Sequence, residues 1–217
     1  MKTGLLLRQL FRTILIVGGI YGIILNMLYQ DSLIQSLSYF TIQSNIFLVV
    51  VMTILLFKKE IPSKNLLVIK MVATVGILLT FLVYHLVLYP VINLSGEYDV
   101  PFINNFLVHT FTPLLAVADY LLFDKKGSLK YKDSFLFLSL PLFYFVYAQI
   151  YAFSGGIFKF ETTTSRYAYF FLNADMIGWG MVALYSAALL VIVFLIGLLF
   201  VFVDKFKLNR KEGVKNV

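Results

Sequence analysis

Long apolar runs, broken by short clusters of basic residues, set the pattern of this chain. About 20 mostly apolar residues are needed to cross the hydrocarbon core of a bilayer. Six windows meet that length, over residues 11–29, 38–57, 66–89, 103–123, 134–153 and 177–203. Within lipid every backbone N–H and C=O must find an internal partner, so uncharged runs of this length predict helices. The expected fold is all-α: a polytopic membrane helix bundle, one six-helix domain over residues 1–217, with no soluble domain, low-complexity segment or clear repeat. The opening stretch "MKTGLLLRQLFRT" mimics a signal peptide. It lacks a small-x-small cleavage site and further spans follow, so it is expected to remain as the first helix.

Composition agrees with the pattern. The 217 residues are 60% hydrophobic and 13% charged, with a mean hydropathy of +0.89, far from the balance of a soluble domain. The net charge of +7 does not point to nucleic acid, because the basic residues lie between apolar runs rather than on an aromatic-interleaved patch. Of the 18 Lys and Arg, all but Lys159 and Arg166 fall on one side of the six windows. Cytoplasmic loops hold the excess of positive charge. Both termini should therefore be cytoplasmic, with the loops near Asp31, near Glu97 and over residues 154–176 facing outward. There is no cysteine, which removes thiol nucleophiles, Cys-ligated metals and disulfides. No cofactor is expected.

Polar side chains inside the windows carry the candidate chemistry. The stretch "LSYFTIQSNIFLVVVMTILLF" sets Thr41, Gln43, Ser44 and Asn45 in one helical segment, with Thr41 and Asn45 an i, i+4 pair on one face. At ~1.5 Å of rise per residue, Thr41 lies about 25 Å from the boundary marked by Lys58, and His85 and His109 lie about 22 Å from Lys70 and Asp124. One layer thus holds Thr41 and both histidines of the chain. Asp119, about 8 Å from the same boundary, reads as an acid snorkelling to the interface or capping a neighbouring helix, with a proton or ion role as the alternative. A hydroxyl becomes a nucleophile when a base takes its proton, and histidine is suited to that near neutral pH. Thr41 with His109 or His85 forms such a pair. Ser44 stands beside it, Asn45, Gln43 or Tyr84 are candidate oxyanion donors, and Asp175 is the candidate third member. Gly18 and Gly22 give a small-xxx-small spacing, for packing within the chain or between copies. The aromatic 154–176 loop either re-enters the membrane edge or caps the bundle.

Three segments also carry a resemblance. "YFTIQSN" (39–45), "NNFLVHTFTPLLAVADYLLF" (104–123) and "YAYFFLNADMIGW" (167–179) resemble the signature segments of the androgen-induced gene and androgen-dependent TFPI-regulating protein family, in its bacterial branch. The spacing of six spans is similar over nearly the whole chain. The animal members are multipass threonine hydrolases of fatty acid esters of hydroxy fatty acids, which use one Thr and one His. The resemblance implies those roles for Thr41 and His109, a fatty-acyl ester as substrate, and a bacterial cytoplasmic membrane as location. A pocket beside Thr41 would take an acyl chain laterally from lipid and form an acyl-enzyme. Two other readings stand beside this one: a lipid or small-molecule binding protein or transporter using the same polar layer, and a metal-dependent membrane hydrolase with His85, His109 and Asp175 or Glu97 around zinc.

Overall fold

The structure, a computed structural model, describes residues 2–30, 32–58, 62–91, 100–160 and 163–213. Among them, six helices are long and apolar enough to cross a membrane: Thr3–Tyr29, Phe40–Phe57, Lys64–Val91, Phe102–Phe123, Asp133–Phe153 and Ala174–Phe206. They fall on the six apolar runs, and the chain is a helical, multipass membrane protein. Arg12, near the start of the first, and Asp204, near the end of the sixth, both meet the end of the fourth, at Asp119 and Tyr120, and this is here the terminal end; the opposite end carries the 154–173 connection. Asp31 and Glu97 lie outside the described residues.

Four helices form the packed centre. Leu15 and Ile16 of the first, Leu48 and Met52 of the second and Ile77 of the third make a continuous buried cluster. The third helix is the most enclosed, with 67% of its most apolar window buried, against 17% and 22% for the fifth and sixth. Those two are therefore outer helices resting on the third. Gly18 and Gly22 pack within the chain: a Cβ on Gly22 would stand 2.8 Å from Leu107 Cβ, and one on Gly18 would overlap the Phe111 ring. The bare face of the first helix is what admits the fourth so closely.

The 154–173 connection caps the end of the bundle. Phe158–Lys159 pairs antiparallel with Thr164–Ser165, a short 3₁₀ turn follows over Phe170–Leu172, and Phe158, Tyr167, Tyr169, Phe171 and Leu172 are buried. Gln35 clamps this hairpin to the chain before the second helix, its Nε2 donating to Lys159 O (3.0 Å) and its Oε1 accepting from Lys159 N (3.1 Å). Asn173 then starts the sixth helix by accepting from the N–H groups of Asp175 and Met176 at 3.1 and 3.2 Å. That helix breaks at Gly178, whose φ of 75° and ψ of 157° lie where a residue with a Cβ is strained.

At the terminal end the charged residues turn inward. Arg12 grips Asp119 with Nε to Oδ1 at 2.9 Å and Nη2 to Oδ2 at 3.1 Å, and its Nη1 donates to Leu55 O at 3.1 Å. Lys70 bonds both Asp119 and Asp124, and all four side chains are at most 3% exposed. Asp119 is thus not a snorkelling or capping acid, and Arg12 and Lys70 are not loop charges. Two cations facing two carboxylates make a neutral set, which removes the cost an unpaired ion would carry in this setting.

Candidate active site

Two widened helical turns build the site. Tyr84–Leu88 in the third helix and Leu107–Phe111 in the fourth are π turns, closed by Tyr89 N–H to Tyr84 O and by Thr112 N–H to Leu107 O. Each ends two residues before a proline, Pro90 and Pro113. A proline has no N–H, and its ring pushes on the carbonyl four residues back. One extra residue in the turn relieves that clash, and such bulges frequently occur at functional sites. Each turn here carries one of the chain's two histidines.

His109 meets Thr41 through this geometry. Thr41 Oγ1 lies 3.2 Å from His109 Nε2, and His109 Nδ1 lies 3.2 Å from the carbonyl of Asn105 one turn back. A carbonyl only accepts, so Nδ1 carries the proton of the neutral ring. Nε2 is then left as the acceptor for the Thr41 hydroxyl. Both residues are 8% exposed and line a cavity of about 290 Å³. The walls are otherwise almost wholly apolar, from the third, fifth and sixth helices and the capping loop.

Neighbouring polar groups hold the pair rather than face the cavity. Asn45 donates to Thr41 O at 2.8 Å and Val108 O at 3.1 Å, and accepts from Thr112 Oγ1 at 2.6 Å. Both its N–H groups are used, so it clamps the second helix to the widened turn and is not an oxyanion donor. Ser44 donates to Thr41 O at 3.1 Å and shares a 2.9 Å hydrogen bond with Thr80. Gln43 donates to Leu37 O at 3.0 Å and lies off the cavity wall, which also removes it from the oxyanion role. Tyr84 stacks on the His109 imidazole. His85 bonds Thr110 Oγ1 at 2.9 Å, so of the two histidines it is His109 that contacts Thr41.

Asp175 does not complete a triad. It is paired with Arg166, Nε to Oδ2 at 2.9 Å and Nη2 to Oδ1 at 2.5 Å, on side chains 52% and 44% exposed. The position a triad acid would occupy, beside His109 Nδ1, belongs to the Asn105 carbonyl. Among the described residues no three of His, Asp and Glu converge as a metal site would require; Glu97 lies outside them.

Tyr169 joins the site from the capping loop. It is 8% exposed and lines the cavity with Thr41. Burial pushes its phenol up, while the Thr41 hydroxyl and the backbone N–H groups of Thr41 and Phe40, which face its oxygen, pull the other way. The net upward shift keeps the phenol protonated and able to donate near neutral pH. Those N–H groups are free of intrahelical partners because they open the second helix, and Tyr39 gives that helix no side-chain cap. Comparison with family models, with curated proteins and with solved structures returns no match for this chain.

Proposed function

We propose that this protein is an intramembrane ester hydrolase in which Thr41 is the nucleophile and His109 the general base. The observation that carries the reading is the 3.2 Å approach of Thr41 Oγ1 to an imidazole nitrogen whose tautomer leaves it free to accept, in the wall of an apolar cavity. His109 Nε2 takes the hydroxyl proton as Thr41 Oγ1 bonds to the ester carbonyl carbon. The tetrahedral intermediate collapses, the C–O bond to the alcohol breaks, and the alkoxide leaves with the proton from Nε2. Water then attacks the acyl-threonine, giving a proton to Nε2, and the acid departs as Thr41 recovers its own. The oxyanion is stabilised by the first-turn N–H groups of Phe40 and Thr41 and by the Tyr169 phenol, a cluster of fixed dipoles in a water-poor site.

The substrate class is a fatty-acyl ester, of which fatty acid esters of hydroxy fatty acids are the example given by the resemblance of "YFTIQSN" and "NNFLVHTFTPLL". The basic residues at the terminal end support cytoplasmic termini, with Thr41 then toward the outer leaflet; a bacterial cytoplasmic membrane is the location that the resemblance implies. The test is hydrolysis of p-nitrophenyl acyl esters by purified protein in detergent, wild type beside Thr41→Ala and His109→Ala, with folding checked by circular dichroism. Each substitution is expected to lower the rate by about 10²- to 10⁴-fold. A wild type inactive across acyl lengths, or variants that hydrolyse as fast as it does, would overturn the assignment and leave lipid binding as the role of the cavity.

A further inference from the structure

We infer that the acyl chain of the substrate leaves the cavity sideways, between the fifth and sixth spanning helices, so that its far end stays in the bilayer while the ester is held at Thr41. This rests on the ester-hydrolase reading.

The sixth helix lines the cavity with Ala183, Ser186, Ala187, Leu189 and Leu190, and all of these but Leu189 share one helical face. The first three are small, so little side-chain volume fills the cavity along that stripe. The fifth helix supplies Pro141, Leu142 and Phe145 opposite. Ala183, Ala187 and Leu142 line the cavity and are exposed, on the two helices that are least buried in the bundle. A side chain does both only at a mouth.

Depth fixes what the mouth opens into. Ala183 and Ala187 lie about 8 and 14 Å along the helix from the Gly178 break, and Ala187 is about 25 Å short of Asp204. Both are therefore inside a hydrocarbon core of about 30 Å. Water and lipid head groups are excluded there, and the occupant that fits is an extended hydrocarbon chain. The reacting end stays near the capped end of the bundle, where Thr41 opens the second helix. The chain then runs from Thr41 toward the bilayer centre and out between the two least buried helices. Such a site sets no upper limit on acyl length, because carbons beyond the wall remain in lipid.

The experiment replaces Ala187 by Phe to close the mouth, with Leu184→Phe as a control on a lipid-exposed position outside the cavity wall. Both are apolar changes on a lipid-facing helix, so folding is preserved. With wild-type full-length protein, p-nitrophenyl palmitate and butyrate are both hydrolysed. Ala187→Phe lowers the palmitate-to-butyrate rate ratio by at least about tenfold, and Leu184→Phe leaves the ratio in place. An unchanged ratio in Ala187→Phe, or a wild type that rejects palmitate, overturns the inference and leaves the hydrolase reading standing. A second readout does not need turnover: palmitate retained by Thr41→Ala protein, measured by native mass spectrometry, is lost when Ala187→Phe is added. Retention by the double variant equal to that of Thr41→Ala alone rejects the sideways path even if no ester is hydrolysed.

Discussion

The Tyr84 ring lies flat against the His109 imidazole, centroids 3.9 Å apart and planes within 16°. Each ring comes from a different π turn, so the two widened turns meet face to face. The stack sets the plane of the imidazole, and the bond from Nδ1 to Asn105 O sets its tautomer. Tyr84→Leu removes the first and keeps the second. A misplacement of about 1 Å costs about 10²-fold in rate, so Tyr84→Leu should lower kcat for an acyl ester toward that extent, while Tyr84→Phe keeps the ring and most of the rate. Steady-state kinetics of the two variants check this; a Tyr84→Leu protein as fast as wild type would reduce the stack to simple packing.

Pro113 is the residue expected to hold the second π turn open. Pro113→Ala returns an N–H that can bond His109 O, and the turn can then close to α-helical geometry. Closing it removes one residue from the bulge and rotates the segment before it by about 100°, which carries Asn105 away from His109 Nδ1. Removal of a proline from within a helical span relieves up to about 3 kcal/mol of conflict. The expected result is a melting temperature at or above wild type together with a large loss of esterase activity. Unchanged activity would mean that packing of Leu107 and Phe111 against Gly22 and Gly18 holds the turn without help from the proline.

Much of this arrangement was legible in the sequence, for physical reasons that also mark where it stopped. Six helices follow from the need to satisfy backbone groups within lipid, and a rise of ~1.5 Å per residue is enough to bring Thr41 and His109 to one depth. Depth, however, says nothing of azimuth, and a π turn resets azimuth without altering the apolar pattern; only Pro90 and Pro113 hint at it. Asn45 reads as a free donor because its sequence neighbours do not reveal the Val108 carbonyl, 63 positions away. Arg12 and Lys70 sit at window edges, where snorkelling and ion pairing look alike until tertiary packing supplies Asp119. Tyr169 lies in a loop with no period to read. Asp175 sits in the first turn of the sixth helix, where Arg166 claims its carboxylate, a pairing that its position along the chain does not reveal.

Lys70 should matter to stability and not to chemistry. Its ammonium faces Asp119 and Asp124 with no solvent exposure, and removing one partner of a buried ion pair typically costs about 3–5 kcal/mol because the other charge is left uncompensated. Lys70→Met is expected to lose stability of that order in a denaturant titration in detergent. Lys70→Met with Asp124→Asn restores neutrality and recovers most of it. Fifteen residues separate Lys70 from His85, about 22 Å along the helix, so the folded double variant should keep its esterase rate. A single variant as stable as wild type would show that water reaches the set and screens it.

Tyr169 gives the most selective test of how the capping loop takes part. Its phenol lines the cavity with Thr41 and faces the N–H groups of Phe40 and Thr41, where, on the proposed hydrolase reading, the carbonyl oxygen of a bound ester would gain negative charge as Thr41 attacks. A donor used only at that stage lowers the barrier without tightening the ground state. Tyr169→Phe keeps the ring, its stacking on Phe171 and the apolar wall, and removes one hydroxyl. The expected effect is a fall in kcat of about 10²-fold with KM nearly unchanged, the signature of an interaction made in the transition state. A rise in KM at constant kcat would instead assign the phenol to substrate binding. No change in either would leave the helix N–H groups as the oxyanion site by themselves.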